Sequence, residues 1–139
     1  MSHPAQLTLA FDQPEGVVVA DVTPLDRRLI TGSEAGPYAD ATFLADELWH
    51  IADTTSDPIV VNLSEVDWID SGACAVLIRF WKELRGRGRV LTLAVTDTVR
   101  ETFIITGLVR LIPCFCDLDS AINAARTSQT LVEAGLRSG

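Results

Sequence analysis

The sequence predicts one α/β domain, a mixed and mostly parallel β-sheet with an N-terminal antiparallel hairpin and helices packed against it. Three observations carry this. The runs from Pro58 to Leu63 and from Val90 to Val95 are almost continuously apolar, as strands covered on both faces should be. Each is followed by a segment whose apolar residues recur at helical spacing. Ahead of them, two short β-type runs flank a cluster of turn residues.

In chain order, Leu7, Leu9 and Phe11 alternate onto one face, Asp12-Gln-Pro-Glu-Gly16 carries turn chemistry, and Val17 to Val22 is a second β run. Together they read as an antiparallel hairpin. Thr23 to Ala39, with two prolines and two glycines, shows no period beyond a short extra strand at Leu29-Ile30-Thr31. Phe43, Leu44, Leu48 and Ile51 then mark a helix from Asp40. After the strand at 58–63, Ala73, Val76, Leu77, Phe80, Trp81 and Leu84 define a helix over 71–85, expected to bury Val76, Leu77 and Phe80. Gly86 and Gly88 stop it. Thr96 is a good N-cap for a helix through Thr106, and Gly107 suits the position past its end. Leu111-Ile112-Pro113 begins a last strand, confined to an edge by its proline. Asp117 or Asp119 caps a final helix from about Ala121. The whole chain, 1–139, reads as one domain, with 1–6 and 129–139 as flexible tails.

At 139 residues the chain is long enough for a core of its own. Hydrophobic content of 47% and charged content of 22% are globular values. Eleven basic against nineteen acidic residues give a net charge of −8, which repels phosphate backbones and anionic membranes. The one basic cluster, Arg85-Gly-Arg87-Gly-Arg89, is too short to reverse that. The start, MSHPAQLTLAF, lacks the basic and apolar regions of a signal peptide, and no run approaches the ~20 apolar residues of a membrane span. Three cysteines then suggest free thiols in a reducing cytoplasm. No metal or cofactor is expected. Cys114-Phe-Cys116 lacks further ligands nearby, His3 and His50 are remote, and no phosphate-binding glycine pattern occurs. No enzyme is expected either, because Ser71 has neither a Gly-x-Ser-x-Gly elbow nor a visible base.

The chemistry gathers in "VDWIDSGACAV", residues 66–76, where an apolar approach meets a carboxylate, a hydroxyl and a helix. Asp70 or Ser71 caps that helix in the plainest reading. Alternatively they form a surface that a partner reads, or a site that is modified, because a helix N-terminus favours anions. Cys74, in the first turn, is expected to have a thiol pKa lowered by the helix dipole. If the strands' carboxyl ends share a rim, Cys74 and Cys114 form a candidate redox pair, but buried structural thiols are the favoured reading. Trp49 and Trp81 read as core, and Trp68 as the tryptophan available to anchor an interface.

The stretch "IVVNLSEVDWIDSGACAVLIRFWKELRGRGRVLTLAVTDTVRETFIITGL" resembles the signature region of STAS domains, and in particular of bacterial anti-sigma factor antagonists. The resemblance covers roughly residues 58 to 127 and runs without a gap from Asn62 to Leu108. In that family the phrase Asp-Ser-Ser/Thr-Gly-Leu opens a helix. The resemblance implies a partner-binding site at Asp70, Ser71, Gly72 and Cys74, and an anti-sigma factor, often a serine kinase, as the partner. Partner switching would then control sigma-factor-dependent transcription. Asp70 and Ser71 match the phrase, but Gly72 stands at the usual phosphoacceptor position, Ala73 at the glycine and Cys74 at the leucine. Ser71 is therefore the phosphorylation candidate. The expected state is a monomer or weak homodimer without direct contact to nucleic acid. A second reading is a STAS-type accessory subunit of a lipid or anion transport complex, and a third is a small enzyme or ligand binder.

Overall fold

The computed structural model describes residues 7–12, 16–24, 26–29 and 40–135. Alternation in the first residues yields the expected hairpin. Strands β1 (Leu7–Asp12) and β2 (Val18–Pro24) pair antiparallel, with Leu9 opposite Val22. The turn residues 13–15 lie outside the described residues. So do Ile30 and Thr31, leaving β3 as Arg28–Leu29. Helix α1 (Asp40–Thr54) buries Leu44, Leu48 and Ile51, spaced four and three apart as a helix stripe requires. The side chain of Phe43 is outside the described residues.

The second half follows as β4 (Ile59–Leu63), β5 (Trp68–Ile69), α2 (Ser71–Gly86), β6 (Leu91–Val95), α3 (Asp97–Thr106), β7 (Cys114–Phe115) and α4 (Leu118–Glu133). The main sheet has the order β1-β2-β4-β6-β7, and every pairing after the hairpin is parallel. Its two faces follow from the period of two along each strand. Val18, Ala20, Ile59, Val61, Leu91 and Leu93 join α1, α2 and α3 in the larger core. Val17, Val19, Val60 and Ala94 meet Ala121 and Ala125 of α4 in a smaller one. Helix α2 buries Val76, Leu77 and Phe80, as its spacing predicts.

The helix ends obey local chemistry. The Thr96 hydroxyl accepts the Val99 N–H at 3.2 Å, and Gly107 ends α3 at φ +81, a conformation that disfavours side chains. A single 3-10 turn, Leu108–Arg110, follows.

Four expectations need correction. Asp117 is the cap of α4, its Oδ1 accepting the Ser120 N–H at 2.8 Å, so the helix begins at Leu118 rather than near Ala121. The edge strand begins after Pro113, not before it. Ile112 donates its N–H back to Leu108. Pro113 has none to give and offers β6 only its carbonyl, which accepts the Leu93 N–H at 2.9 Å, so paired residues begin at Cys114. The tail does not begin at 129. Gln129, 6% exposed, accepts the Val90 N–H at 2.9 Å and donates to the Gly88 carbonyl at 3.0 Å, fastening α4 to the entry of β6. Residues 1–6 and 136–139 lie outside the described residues. Last, β5 is an unexpected strand. It pairs in parallel with β3 in a separate two-stranded sheet.

Phe80 is fully buried, with its ring centroid 5.1 Å from that of Trp49 on α1. Phe80→Ala should cost about 3–5 kcal/mol of folding free energy, read from the midpoint of chemical denaturation. A loss below about 1 kcal/mol would mean that α1 and α2 do not pack through this ring.

Candidate functional site

The handover from β5 to α2 is built from backbone hydrogen bonds and one carboxylate. Asp70 is extended (φ −94, ψ 174), and its Oδ1 accepts the Ala73 N–H at 3.0 Å. Its carbonyl accepts the Cys74 N–H at 3.1 Å, and its own N–H donates to the Leu29 carbonyl at 3.2 Å. Asp70 is therefore the cap. Ser71 is not, and it lies exposed as the first helical residue. Gly72, half-buried, is the second, and it is not among the glycines with positive φ, so serine can adopt its backbone conformation.

Upstream, Arg27 holds the approach to this site. Its carbonyl accepts the N–H groups of Asp67 (2.8 Å) and Trp68 (3.3 Å). Its guanidinium reaches Asp67 Oδ2 at 2.6 Å and Oδ1 and the Ser64 carbonyl at 3.2 Å, and also pairs with Glu65. The hydrogen bond from Arg27 holds the Asp67 carboxyl below the usual carboxylate range. These pairs are exposed and screened by water, so their main effect is geometric. They nevertheless accompany two non-glycine residues in left-handed backbone, Asp26 at φ +38 and Arg27 at φ +58. That conformation is unfavourable by about 1 kcal/mol or more each and persists only where neighbours impose it. Beside this latch, Trp68 is 46% exposed with the Arg28 guanidinium 5.2 Å above its ring. Trp68 thus sits at the surface, as its position before the turn suggests. Trp49 and Trp81 pack partly buried against the core.

Of the cysteines, Cys74 is buried, Cys114 half-buried and Cys116 exposed. Cys74 is only 9% exposed and belongs to the main core, so it faces the protein interior rather than a partner. Burial, reinforced by the Asp70 charge, raises its thiol pKa. These two effects outweigh a backbone hydrogen bond that favours the thiolate, so the direction is opposite to the expected lowering. Burial also pushes the Cys114 thiol up to about 11. All three cysteines are free, and the two of the candidate redox pair stay protonated at neutral pH, which works against thiolate chemistry. Among the described residues no group of His, Cys, Asp or Glu stands ready to hold a metal, and no helix is long and apolar enough to cross a membrane.

Asp70, Ser71 and Gly72 lie together at the start of α2, as consecutive residues must, whereas sequence reasoning missed Arg27. Its signal was the turn chemistry of Pro24-Leu-Asp26 directly before it.

A five-stranded mixed sheet with helices on both faces and a carboxylate-capped helix start define a small α/β domain of known type. The STAS domain family model matches residues 37–121, and the chain belongs to that family. The fold is similar to that of an anti-sigma factor antagonist from Mycobacterium paratuberculosis. That likeness has 23% identity and a TM-score of 0.67, covering 91% of this chain and 99% of the other. It is also similar to a variant of RsbS from Moorella thermoacetica, with 16% identity, TM-score 0.67, and 86% and 95% coverage. A sulfate transporter family protein from Wolinella succinogenes shares it at 19% identity and TM-score 0.61, with 82% and 88% coverage. No curated protein matches the chain.

The cap assignment has a direct consequence. Asp70→Ala should lower stability by about 1 kcal/mol, whereas Ser71→Ala should change it by less than about 0.5 kcal/mol. Denaturant midpoints of the two variants measure the difference, and equal losses would contradict the assignment.

Proposed function

We propose that this STAS domain is an anti-sigma factor antagonist. It captures an anti-sigma factor through the start of α2 and so frees a sigma factor for transcription, acting in the cytoplasm as a binding protein without catalysis of its own. The observation that carries this reading is the division between Asp70 and Ser71. The carboxylate satisfies the helix end, so the neighbouring hydroxyl stays exposed, at the place where the family's switch phrase begins. Trp68, beside it, supplies an apolar anchor of the kind that dominates interface energetics. The solved relatives described as anti-sigma factor antagonists support the same role.

Ser71 is the switch. A serine kinase partner transfers the γ-phosphoryl group of a nucleoside triphosphate to Ser71 Oγ, breaking the bond from the γ-phosphorus to the bridging oxygen, with release of the nucleoside diphosphate and loss of the hydroxyl proton. This adds about −1.5 to −2 charge. Placed at the start of α2, within the proposed contact, that charge opposes rebinding. The likeness to a sulfate transporter family protein supports a second reading, in which the same surface docks the domain onto a transport complex.

The test is capture of the cognate anti-sigma factor by parent, Ser71→Asp and Ser71→Ala proteins, with phosphate incorporation followed by intact mass. Ser71→Asp should bind at least about tenfold more weakly. It should not unfold, because an acidic residue in the first helical turn suits the dipole. The kinase should label the parent and Gly72→Ser but not Ser71→Ala. Labelling of the parent that survives Ser71→Ala would remove Ser71 from the switch. Specific retention of a transporter subunit instead of an anti-sigma factor would decide for the second reading.

A further inference from the structure

The charge of this chain is unevenly placed. Residues 71–89 hold five of its eleven basic residues and one of its nineteen acidic ones, so this segment carries +4 and the remainder −12. Three of the five are committed within the fold. Arg85 lies over the Trp81 ring at 5.3 Å, and Arg87 pairs with Asp53 at 3.0 Å and Glu83 at 2.9 Å. Arg89 donates to the carbonyls of Ala52 at 2.7 Å and Asp57 at 2.6 Å. Arg79 and Lys82 are different. Both are exposed, and neither has an ion-pair partner among the described residues.

Their positions are not scattered. At 3.6 residues per turn, Ser71, Ala75, Ile78, Arg79 and Lys82 fall within an arc of about 100° and form one stripe ~16 Å long. It begins at the exposed hydroxyl, passes over the small Ala75 and the half-buried Ile78, and ends in two cations. The helix gains little from those cations. Glu83, the i+4 partner of Arg79, is already held by Arg87, and Arg79, Lys82 and Arg85 repel one another at i, i+3 spacing. In a protein with nineteen acidic residues, two cations on one apolar-centred stripe have no ion-pair partner among the described residues.

We propose that the exposed stripe of α2 from Ser71 to Lys82 is the docking surface for an acidic, amphipathic segment of the anti-sigma partner. This rests on the reading above and names the chemistry of the partner's side. Apolar side chains of that segment cover Ala75 and Ile78, and its carboxylates pair with Arg79 and Lys82. The arrangement gives Ser71 a physical reason to act as a switch, because phosphate at the head of the stripe repels the acidic segment it must accommodate.

Two measurements test this. Isotope-labelled protein is titrated with a short amphipathic helical peptide of Glu and Leu, and amide shifts are mapped in the parent and in Arg79→Glu/Lys82→Glu. In parallel, affinity for the cognate anti-sigma factor is measured for both proteins at low and high salt, with thermal melts as the folding control. The expected result is a peptide footprint confined to residues 71–82 that the double variant loses. Partner affinity should fall at least about tenfold in a variant that melts like the parent, and the salt dependence should be flatter. A partner bound equally tightly by both proteins overturns the stripe and leaves the anti-sigma reading standing. A stripe footprint without capture of any anti-sigma factor overturns that reading and retains the acidic-segment site. A footprint elsewhere, or a concentration-dependent dimer of the parent that the double variant abolishes, overturns the proposal by giving the stripe no acidic segment or a second copy of this chain.

Discussion

Strands β4 and β6 are covered on both faces, Asn62 alone among their residues being half-buried. Ile59, Val60 and Val61 are fully buried, and so, within a few per cent, is every residue from Leu91 to Val95. A strand that is apolar on both sides forces helices onto both sides, and parallel neighbours force a crossover between each pair. That is why α1, α2 and α3 gather on one face while α4 closes the other. It also decides where a helix start can be. The chain leaving the carboxyl end of β4 must turn back across the sheet to enter β6, and the turn that does so is the one containing Asp70 and Ser71. The position of the candidate site is thus a consequence of the core, and only its chemistry is free to vary.

The parts of this fold that were legible in the sequence are those where one residue type answers one backbone demand. Thr96 and Gly107 bound α3 because an N-cap needs an acceptor and a left-handed terminus needs no Cβ. The alternation of Leu7, Leu9 and Phe11 exposed the hairpin for the same reason. The pair β3 and β5 was illegible because each is two residues long, too short for any period, and their pairing depends on contacts between residues 40 positions apart. The edge strand was displaced because Ile112 is apolar for a different purpose, being buried in the core and tied back to Leu108 rather than paired in the sheet. Gln129 misled for the opposite reason. A polar residue near the end of the chain looks like tail, yet its amide satisfies two backbone groups that burial would otherwise leave unpaired.

At the site, neighbouring residues divide functions that the sequence alone left joined. A carboxylate and a hydroxyl side by side can both cap, and only the geometry separates them, giving the cap to Asp70. Cys74 is buried in the core, and its thiol is raised above its ordinary pKa and kept protonated. The dipole argument for a reactive cysteine was sound as far as it went. At this site burial of the thiol and the neighbouring Asp70 charge act the other way, against the thiolate.

A phosphate on Ser71 would meet two opposing effects, and their sizes decide what it does. The dipole of α2 favours it by about 0.3–1 kcal/mol at an exposed terminus, so the fold itself would be slightly strengthened. An acidic segment docked beside it would be repelled by like charge at contact distance, which costs several kcal/mol. The charge therefore acts on the complex and spares the domain, as a reversible switch requires. Distance sets a further limit. The stripe from Ser71 to Lys82 spans ~16 Å, about twice the ~8 Å over which exposed charges feel one another at physiological salt. Repulsion from Ser71 fades before it reaches Arg79 and Lys82. A partner gripping only the two cations would not be released, so control by phosphate demands a partner that lies along the stripe as far as the hydroxyl.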